Sequence, residues 1–381
     1  MHAAGSTAEH QAFLNTRFFP ALDGLRAISV FLVFGAHFGG VIWITRAGWL
    51  GVHAFFVLSG FLITTLLLRE RSATGSVSLK AFYIRRSTRL LPVYYLVFLV
   101  VLGMNYAAQG VGWEQLKQAT PYYLVFLNEL ANFSPFGMTW TLGVEWKYYA
   151  VWSVLLAMFG ATMASRFTVA AVCLAVLAAV WVGRLDLAWF APVNYLGVLL
   201  GSVMAIVMHS PSTYAWLRWL RTNAAAAIIV IALFFVHRRA SGLTASIGEH
   251  QMVAIYVVLV ALLLPGLIAP TFVGRVLSMN FLGFIGRRSY SLYLVQYVAW
   301  TLFVAAFPNV MVSHLALVGN FALALVLSEF LYRWVEKPMT RVGHRWAEAA
   351  RPAAQAARGA AAATAVDGVV ASTPPPLRAD S

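Results

Sequence analysis

The chain has 381 residues, of which 61% are hydrophobic and only 10% are charged, and its mean hydropathy is +0.77. These values exclude a soluble globular domain of ordinary composition and indicate a polytopic membrane protein. The single cysteine excludes a disulfide framework within the chain and argues against a thiolate metal site, so we predict no metal site.

Ten apolar runs have about the length that a membrane-spanning helix needs, which is roughly 20 residues. They cover residues 24–44, 50–68, 90–108, 138–159, 167–183, 191–208, 223–236, 251–269, 288–307 and 312–334. The seventh run is short and the fourth carries charge. The first residues lack a short apolar core followed by a cleavage signal, so we expect the first span to stay in the mature protein. The sequence predicts an all-α polytopic membrane protein, a bundle of about ten transmembrane helices.

The formal net charge is +14, and the positions of the basic residues predict the topology because cytoplasmic loops are enriched in Lys and Arg. With the amino terminus in the cytoplasm, most basic residues fall on the cytoplasmic side. The exceptions are Arg46, Lys117, Arg184, Arg238 and Arg239. An even number of spans returns the carboxyl terminus to the cytoplasm. We therefore predict a cytoplasmic segment 1–16, a membrane domain 17–345 and a disordered Ala- and Pro-rich cytoplasmic tail 346–381.

The first span contains the sequence LDGLRAISVFLVFGAH, which places Arg26 and His37 eleven residues apart. On an α-helix this spacing returns to the same face about 16 Å further along the axis. One interpretation of His37 is a histidine that faces the bundle and bonds to a neighbouring helix. The other is a functional pair, in which histidine exchanges a proton and the arginine orients an anion or stabilises developing negative charge.

Two further stretches suggest a place for a ligand near the cytoplasmic side. The sequence FYIRRSTRLLPVYY clusters Arg85, Arg86 and Arg89, and guanidinium groups suit phosphate oxygens, although such arginines also anchor cytoplasmic loops. The sequence GVHAFFVLSGFLI in the second span places Ser59 among bulky aromatic and small residues. This pattern is consistent with helix packing or with a ligand channel.

The fourth span combines charge with aromatic residues in the sequence TWTLGVEWKYY. Because Glu145 and Lys147 are two residues apart, they point to different faces and are not expected to neutralise each other. Glu145 needs another partner, either an arginine elsewhere or a hydroxylic substrate in a wet cavity. Trp140 offers an aromatic face for a sugar ring, although tryptophans are also common at membrane interfaces.

The last part of the chain contains two stretches, IGRRSYSLYL and WVEKP. Pro338 in the second of these predicts that the tenth helix ends there, because proline cannot continue a helix from its interior. Glu329 is predicted to be an acid inside the tenth span whose partner the sequence does not identify.

Taken together, six stretches in order resemble the acyltransferase-3 family of integral-membrane acyltransferases, which includes bacterial O-antigen and exopolysaccharide O-acetyltransferases. They are the four sequences named above around Arg26, Ser59, Arg86 and Glu145, followed by IGRRSYSLYL and WVEKP, and they cover roughly residues 17 to 340. The resemblance implies about ten spans in a bacterial cytoplasmic (inner) membrane and transfer of an acyl group to a hydroxyl, usually of a sugar. It also implies a cytoplasmic acyl-CoA donor such as acetyl-CoA, with no permanently bound cofactor and no nucleic-acid partner.

Two departures from the family pattern accompany the resemblance. Gln296 stands where a histidine is common, and Trp146 and Lys147 stand where an acidic or polar pair is common. The second departure suggests an altered acceptor site. With no esterase-like domain after the last span, a membrane-only enzyme acting on a lipid-linked or small acceptor is the simpler expectation.

The resemblance and the residues lead to one mechanistic hypothesis. The phosphates of coenzyme A dock at Arg86 and Arg89, with Arg85 and Ser59 also in the acyl-CoA site. His37 acts as general base with Arg26 nearby, and covalent acylation of His37 is a variant of this scheme. Glu145 and Trp140 then bind the acceptor, which is a glycan or a lipid-linked sugar in the bilayer.

Three alternatives stay open at this point. The first is that the chain is a proton-coupled transporter or flippase of a glycan or lipid precursor, with His37 relaying protons. The second is that it acylates a small molecule such as an antibiotic. The third is that it is a membrane scaffold without catalytic activity.

Overall fold

The computed structural model describes residues 2–39, 47–131, 134–183, 191–308 and 314–351, with only the backbone described for residues 2–7 and 314. Within these ranges the chain is helical and contains no strand, which confirms the predicted all-α class. The helices are α1 His2–Asn15, α2 Pro20–Phe38, α3 Leu50–Thr74, α4 Leu79–Ala108, α5 Val111–Leu124, α6 Trp140–Phe159, α7 Met163–Trp181, α8 Pro192–His209, α9 Pro211–Trp216, α10 Asn223–Arg238, α11 Ala240–Ile247, α12 Glu249–Ile268, α13 Phe272–Leu277, α14 Asn280–Arg287, α15 Ser289–Ala306, α16 His314–Leu331 and α17 Lys337–Ala349. Short 3₁₀ turns cover Asn128–Leu130, Gly137–Thr139 and Leu217–Arg221.

Eight helices in the described part of the chain are long and apolar enough to cross a membrane. A ninth candidate is the pair Pro211–Arg221 and Asn223–Arg238, which is bent by 70°. Each of the ten predicted runs overlaps a helix in its described part, and residues 40–44 and 312–313 of these runs lie outside the described residues. The short seventh run lies in the bent pair, and the charged fourth run is α6, a 20-residue helix that carries Glu145 and Lys147.

The prediction that the tenth helix ends at Pro338 is wrong. A π-helix, Tyr332–Glu336, joins α16 to α17, so that Leu315–Ala349 is one helical segment. Pro338 lies in the first turn of α17, where a missing backbone N–H costs little and the fixed φ angle of proline suits a helix. The wider π turn therefore lets the helix continue past a proline.

The most extensive contact in the bundle is between α3 and α8. Their backbones approach closely because Gly60 of α3 faces the Val198 carbonyl and Gly201 of α8 faces the Val57 carbonyl. A Cβ atom at either glycine would overlap the carbonyl oxygen of the other helix. Small residues that permit such approach are typical of helix pairs in membranes.

We expect Gly60→Ala to destabilise the protein by about 1–3 kcal/mol, because the added methyl group forces α3 and α8 apart. The matched control is Gly103→Ala in α4, where a Cβ would meet no atom within 4 Å. Thermal unfolding in detergent should show a lower Tm for Gly60→Ala and an unchanged or slightly raised Tm for Gly103→Ala. Equal melting temperatures for the two variants would contradict this account of the α3–α8 contact.

The predicted segment 1–16 is mostly helix α1, and its end is fastened to the bundle. The Arg69 guanidinium donates hydrogen bonds to the carbonyls of Phe13, at 2.8 Å, and Thr16, at 2.7 Å. The ring of Phe13 stacks on those of Phe19 and Tyr214, with 5.9 Å between centroids in each case. The predicted tail lies mostly in residues 352–381, outside the described residues.

The stretch 109–137, apart from residues 132 and 133, which lie outside the described residues, contains α5 and the 3₁₀ turn Asn128–Leu130, and a second 3₁₀ turn begins at Gly137. This stretch packs on the end of the bundle where α2 finishes. Its anchor is Asn128, whose side-chain amide donates to the hydroxyls of Tyr94, at 3.0 Å, and Thr139, at 2.9 Å. We call the end of the bundle where α2 finishes the His37 end. The opposite end, where α2 starts, is called the basic end.

Candidate active site

A cavity of about 390 Å³ opens at the basic end, and its lining is strongly cationic. We call it the basic cavity. Eight basic side chains line it, against two acidic ones, Asp23 and Glu336. The basic residues are Arg17, Arg26, Arg69, Arg86, Arg89, Arg287, Lys337 and Arg341. Such an excess of positive charge suits a ligand with several phosphate groups.

Arg26 is held in this cavity by the first turns of α2. Pro20 starts the helix, and Asp23 in its first turn accepts a hydrogen bond from Arg26 across 3.1 Å. Asp23 is buried, and its other carboxylate oxygen has no hydrogen-bond partner among the described residues, while the Arg26 side chain stays 20% exposed. Arg26 therefore keeps hydrogen-bond donors for a ligand after pairing with Asp23.

A smaller cavity of about 90 Å³ lies deeper in the bundle, and we call it the inner cavity. It shares Arg26, Ser59, Arg86, Arg89 and Tyr149 with the lining of the basic cavity. Arg86 and Arg89 reach both cavities because a spacing of three residues puts them on one face of α4. The two predicted sites around Arg26 and Arg86 are thus one connected region.

Glu145 also lines the inner cavity, where it forms a compact cluster with Ser59 and Tyr149. The Ser59 hydroxyl donates to Oε1 of Glu145 across 2.6 Å, and the Tyr149 hydroxyl lies 2.8 Å from Oε2. The Tyr149 hydroxyl is also 3.0 Å from the Ser59 hydroxyl, and the Arg86 guanidinium lies 5.5 Å from the centre of the Tyr149 ring. The partners that Glu145 needs are therefore two hydroxyl groups, with arginines in the same cavity.

Arg85 points to a different place from its neighbours in the arginine cluster. It forms an ion pair of 2.9 Å with the buried Glu70, which Arg351 also approaches at 3.5 Å. It is absent from the described lining of the basic and inner cavities. The structure thus brings Arg86, Arg89 and Ser59 together and leaves Arg85 in an ion pair.

A larger cavity, of about 1070 Å³, lies at the other end of the bundle and is lined by His37. We call it the His37 cavity. Nδ1 of His37 is 2.9 Å from Oε1 of Gln296, the residue that departs from the family pattern. Trp49 and Trp140 contribute aromatic surface, and Glu129 contributes a carboxylate. Trp140 is therefore near His37, whereas Glu145, predicted to bind the acceptor with Trp140, belongs to the inner cavity.

The inner cavity and the His37 cavity are neighbours separated by side chains. The ring centroids of Phe56, which lines the inner cavity, and Trp140, which lines the His37 cavity, are 5.8 Å apart. Tyr293 adds to the barrier, because its hydroxyl donates to the Met138 carbonyl and accepts from Thr141 across 3.1 Å. Arg26 and His37 lie on one helix, as the spacing predicts, yet they line different cavities.

Lys147 and Glu329, two further charged residues of the spans, have identified partners. Lys147 pairs with Glu129 rather than Glu145, which confirms that the two charges of the fourth span do not neutralise each other. Glu329, whose partner the sequence did not identify, pairs with both Arg288 and Arg333. The described residues contain no group of three or more His, Cys, Asp or Glu side chains arranged to hold a metal ion.

Sequence reasoning did not identify Tyr149 and Glu129 as site residues. Tyr149 had a usable signal, because it follows Glu145 by four residues and so lies on the same helix face. Glu129 had none, since it sits in a 3₁₀ turn and reaches the His37 cavity only through the folding of the stretch after α5.

Comparison with known proteins decides the family. The model of the acyltransferase-3 family, described as an acyltransferase domain, matches residues 19–332. The chain belongs to the acyltransferase-3 family. Its matched region includes Arg26, His37, Ser59, Arg86, Arg89 and Glu145.

The chain is also similar to several named bacterial proteins. The chain is 27% identical over 356 residues to a putative O-acetyltransferase of Staphylococcus aureus, 26% over 366 residues to the peptidoglycan O-acetyltransferase OatA of Listeria monocytogenes, and 28% over 364 residues to the putative peptidoglycan O-acetyltransferase YrhL of Bacillus subtilis. Each alignment covers 86% of this chain but only 56–58% of the relative, so the chain spans a little over half the length of these proteins. No solved structure gives a significant match.

Proposed function

We propose that this protein is a membrane O-acyltransferase that moves an acyl group, such as acetyl, from cytoplasmic acyl-CoA to a hydroxyl of a cell-envelope glycan. The observation that carries the proposal is the pair of cavities at opposite ends of one helix. A cationic cavity holds Arg26, and a large cavity with tryptophan faces holds His37. Their separation matches a reaction whose two substrates approach from opposite sides of a membrane.

The basic cavity supports an acyl-CoA donor. Coenzyme A carries a diphosphate and a further phosphate, and guanidinium groups bind phosphate oxygens through paired hydrogen bonds. Arginines at the mouth of the cavity, including Arg17 and Arg341, suit the phosphates, and the narrow inner cavity suits the thioester end. The ion pair of Arg85 with Glu70 argues that Arg85 supports the fold rather than the donor.

The His37 cavity supports a carbohydrate acceptor. Trp49 and Trp140 offer flat apolar faces, and Glu129 and Gln296 offer polar groups for sugar hydroxyls. The relatives named as peptidoglycan O-acetyltransferases favour a cell-wall glycan among the possible sugars.

His37 is the general base in this proposal. In the tautomer whose Nδ1–H donates to Oε1 of Gln296, Nε2 carries a lone pair and takes the proton of the acceptor hydroxyl. Gln296 is then a positioning residue that holds the ring and selects its tautomer. Arg26 stabilises negative charge that develops on the donor carbonyl oxygen.

The proposed orientation places the basic end in the cytoplasm. The enrichment of arginine and lysine at this end follows the rule for cytoplasmic loops. It puts the donor site on the side where coenzyme A is found and gives a multi-pass protein of the bacterial cytoplasmic membrane. The last helix, α17, also carries basic residues that fit this side, namely Lys337, Arg341 and Arg345.

The test is transfer itself. Membranes that contain the protein should incorporate radiolabelled acetate from acetyl-CoA into a base-labile ester on glycan, and membranes without it should not. A transporter or flippase would move a glycan or lipid precursor without consuming acetyl-CoA, and an antibiotic acylase would leave glycan unlabelled and modify the small molecule. Absence of acetyl-CoA-dependent ester formation on any acceptor would overturn the proposal.

A further inference from the structure

Resting on the proposed acyl transfer, we propose that Ser59 is a nucleophile that carries the acyl group as a covalent ester between the donor and the acceptor. A Ser59 that only binds the donor would form no covalent bond to the acyl group. The inference concerns the same site and divides the transfer into two steps.

The geometry around Ser59 is that of an activated nucleophile. Its hydroxyl donates to Oε1 of Glu145 across 2.6 Å, and the Tyr149 hydroxyl contacts the other carboxylate oxygen at 2.8 Å. A hydroxyl bonded to a base, with the base oriented by a third group, is the arrangement that nucleophilic catalysis requires. A serine that served only to pack α3 against its neighbours would need no carboxylate partner.

The surroundings of Ser59 suit attack on a thioester. Ser59 lines both the basic cavity and the inner cavity, so it lies where the basic cavity narrows into the inner cavity. Arg26, Arg86 and Arg89 line both cavities as well. A guanidinium group placed there stabilises the oxyanion that forms when a hydroxyl adds to a carbonyl.

The separation of the cavities favours a covalent carrier. Direct transfer needs the thioester, the acceptor hydroxyl and His37 in one space, but His37 lines the His37 cavity and is absent from the described lining of the basic and inner cavities. Ser59 follows His53, which lines that cavity, by six residues on α3, a rise of about 9 Å. Phe56 and Trp140, together with Tyr293, form the barrier that must open for an acceptor to reach the ester.

The first step forms the ester. The Ser59 oxygen attacks the thioester carbonyl carbon while Glu145 accepts the hydroxyl proton. Collapse of the tetrahedral intermediate breaks the carbon–sulfur bond, and the coenzyme A thiolate leaves with the bonding pair and takes a proton from water in the basic cavity. Ser59 now carries the acyl group, and Glu145 carries one proton.

The second step passes the acyl group on. The acceptor hydroxyl attacks the ester carbonyl and gives its proton to His37. The bond between the carbonyl carbon and the Ser59 oxygen breaks, and Glu145 returns its proton to that oxygen. His37 releases its proton to water in the His37 cavity, so the enzyme is restored and the atoms balance.

The experiment looks for the ester directly. The purified full chain in detergent is mixed with radiolabelled acetyl-CoA, quenched in acid, digested and mapped by tandem mass spectrometry. We expect one acetyl group on Ser59, at a higher level in His37→Ala because the second step is slowed. Ser59→Ala should lose the label, whereas Ser59→Cys should carry a thioester that hydroxylamine cleaves at neutral pH.

The control is Ser328→Ala in α16, because the hydrogen bond that the Ser328 hydroxyl makes in the described part of the chain goes to the Leu325 carbonyl, at 2.8 Å, within its own helix. This variant should label as the wild type does. Coenzyme A binding by Ser59→Ala shows whether the variant is folded. If the protein transfers acetyl to glycan but no acetyl is found on Ser59, either in the wild type or in His37→Ala, the inference is overturned while the proposed function stands. Acetyl found on His37 instead overturns it as well, whereas absence of transfer and of label contradicts the proposed function.

Discussion

Replacing His37 with alanine is expected to reduce acyl transfer to glycan by about 10²- to 10⁴-fold, the usual contribution of a general base. The physical reason is that His37 is the proposed acceptor of the hydroxyl proton, and Gln296, its neighbour at 2.9 Å, has no basic atom that could replace it. Acetyl-CoA binding should be unchanged, because the basic cavity does not include His37. The measurement is the initial rate of ester formation at saturating acetyl-CoA.

His344→Ala is the control, since His344 lines neither the basic cavity nor the His37 cavity among the described residues. Its rate should remain at the wild-type level. A His37→Ala rate within a few-fold of wild type would remove His37 from the mechanism. The general base would then be another polar group of the same cavity, with His53 and Glu129 as the first candidates.

Alanine at Arg86 or Arg89 is expected to raise the KM for acetyl-CoA by about 10- to 150-fold, because a hydrogen bond to a charged group contributes about 1.5–3 kcal/mol. Both arginines line the basic and the inner cavity, so each is placed to contact an anionic donor. Binding should also weaken as salt is added, since screening reduces the attraction between arginine and phosphate. Titration of each purified variant with acetyl-CoA measures the effect.

Arg333→Ala is the matched control, because Arg333 pairs with Glu329 on the surface and does not line the basic cavity. It should leave the KM for acetyl-CoA unchanged. If Arg86→Ala and Arg333→Ala gave the same KM, the basic cavity would not be the donor site. A fall in kcat with constant KM at Arg86 would instead place that arginine at the reacting carbonyl.

The fold class was predictable because it depends on composition along the chain. Apolar runs of bilayer length predict helices whatever their order in space, and each of the ten runs overlaps a helix in its described part. The failure at Pro338 has a local cause. A π turn changes the hydrogen-bond register of the helix, and the local sequence does not predict such a turn.

The site was predictable only in part. Arg26, Arg86 and Arg89 attract attention because charge in an apolar segment is costly, and they do line one region. Arg85 has the same sequence signal but pairs with Glu70, fifteen residues earlier in the chain. Glu145 was assigned to the acceptor, yet it lies with the arginines because α6 brings it against Ser59 of α3.

The sequence by itself therefore determined the helical class, the shared face of Arg26 and His37, and the family, because these depend on residue type and spacing along one chain. Tertiary structure decided that the two residues line separate cavities, that Ser59 bonds to Glu145, and that His37 bonds to Gln296, which lies 259 residues away. Those contacts arise from the packing of distant helices. The backbone hydrogen bonds that form each helix are local, but which side chains meet between helices depends on how all the helices of the bundle pack.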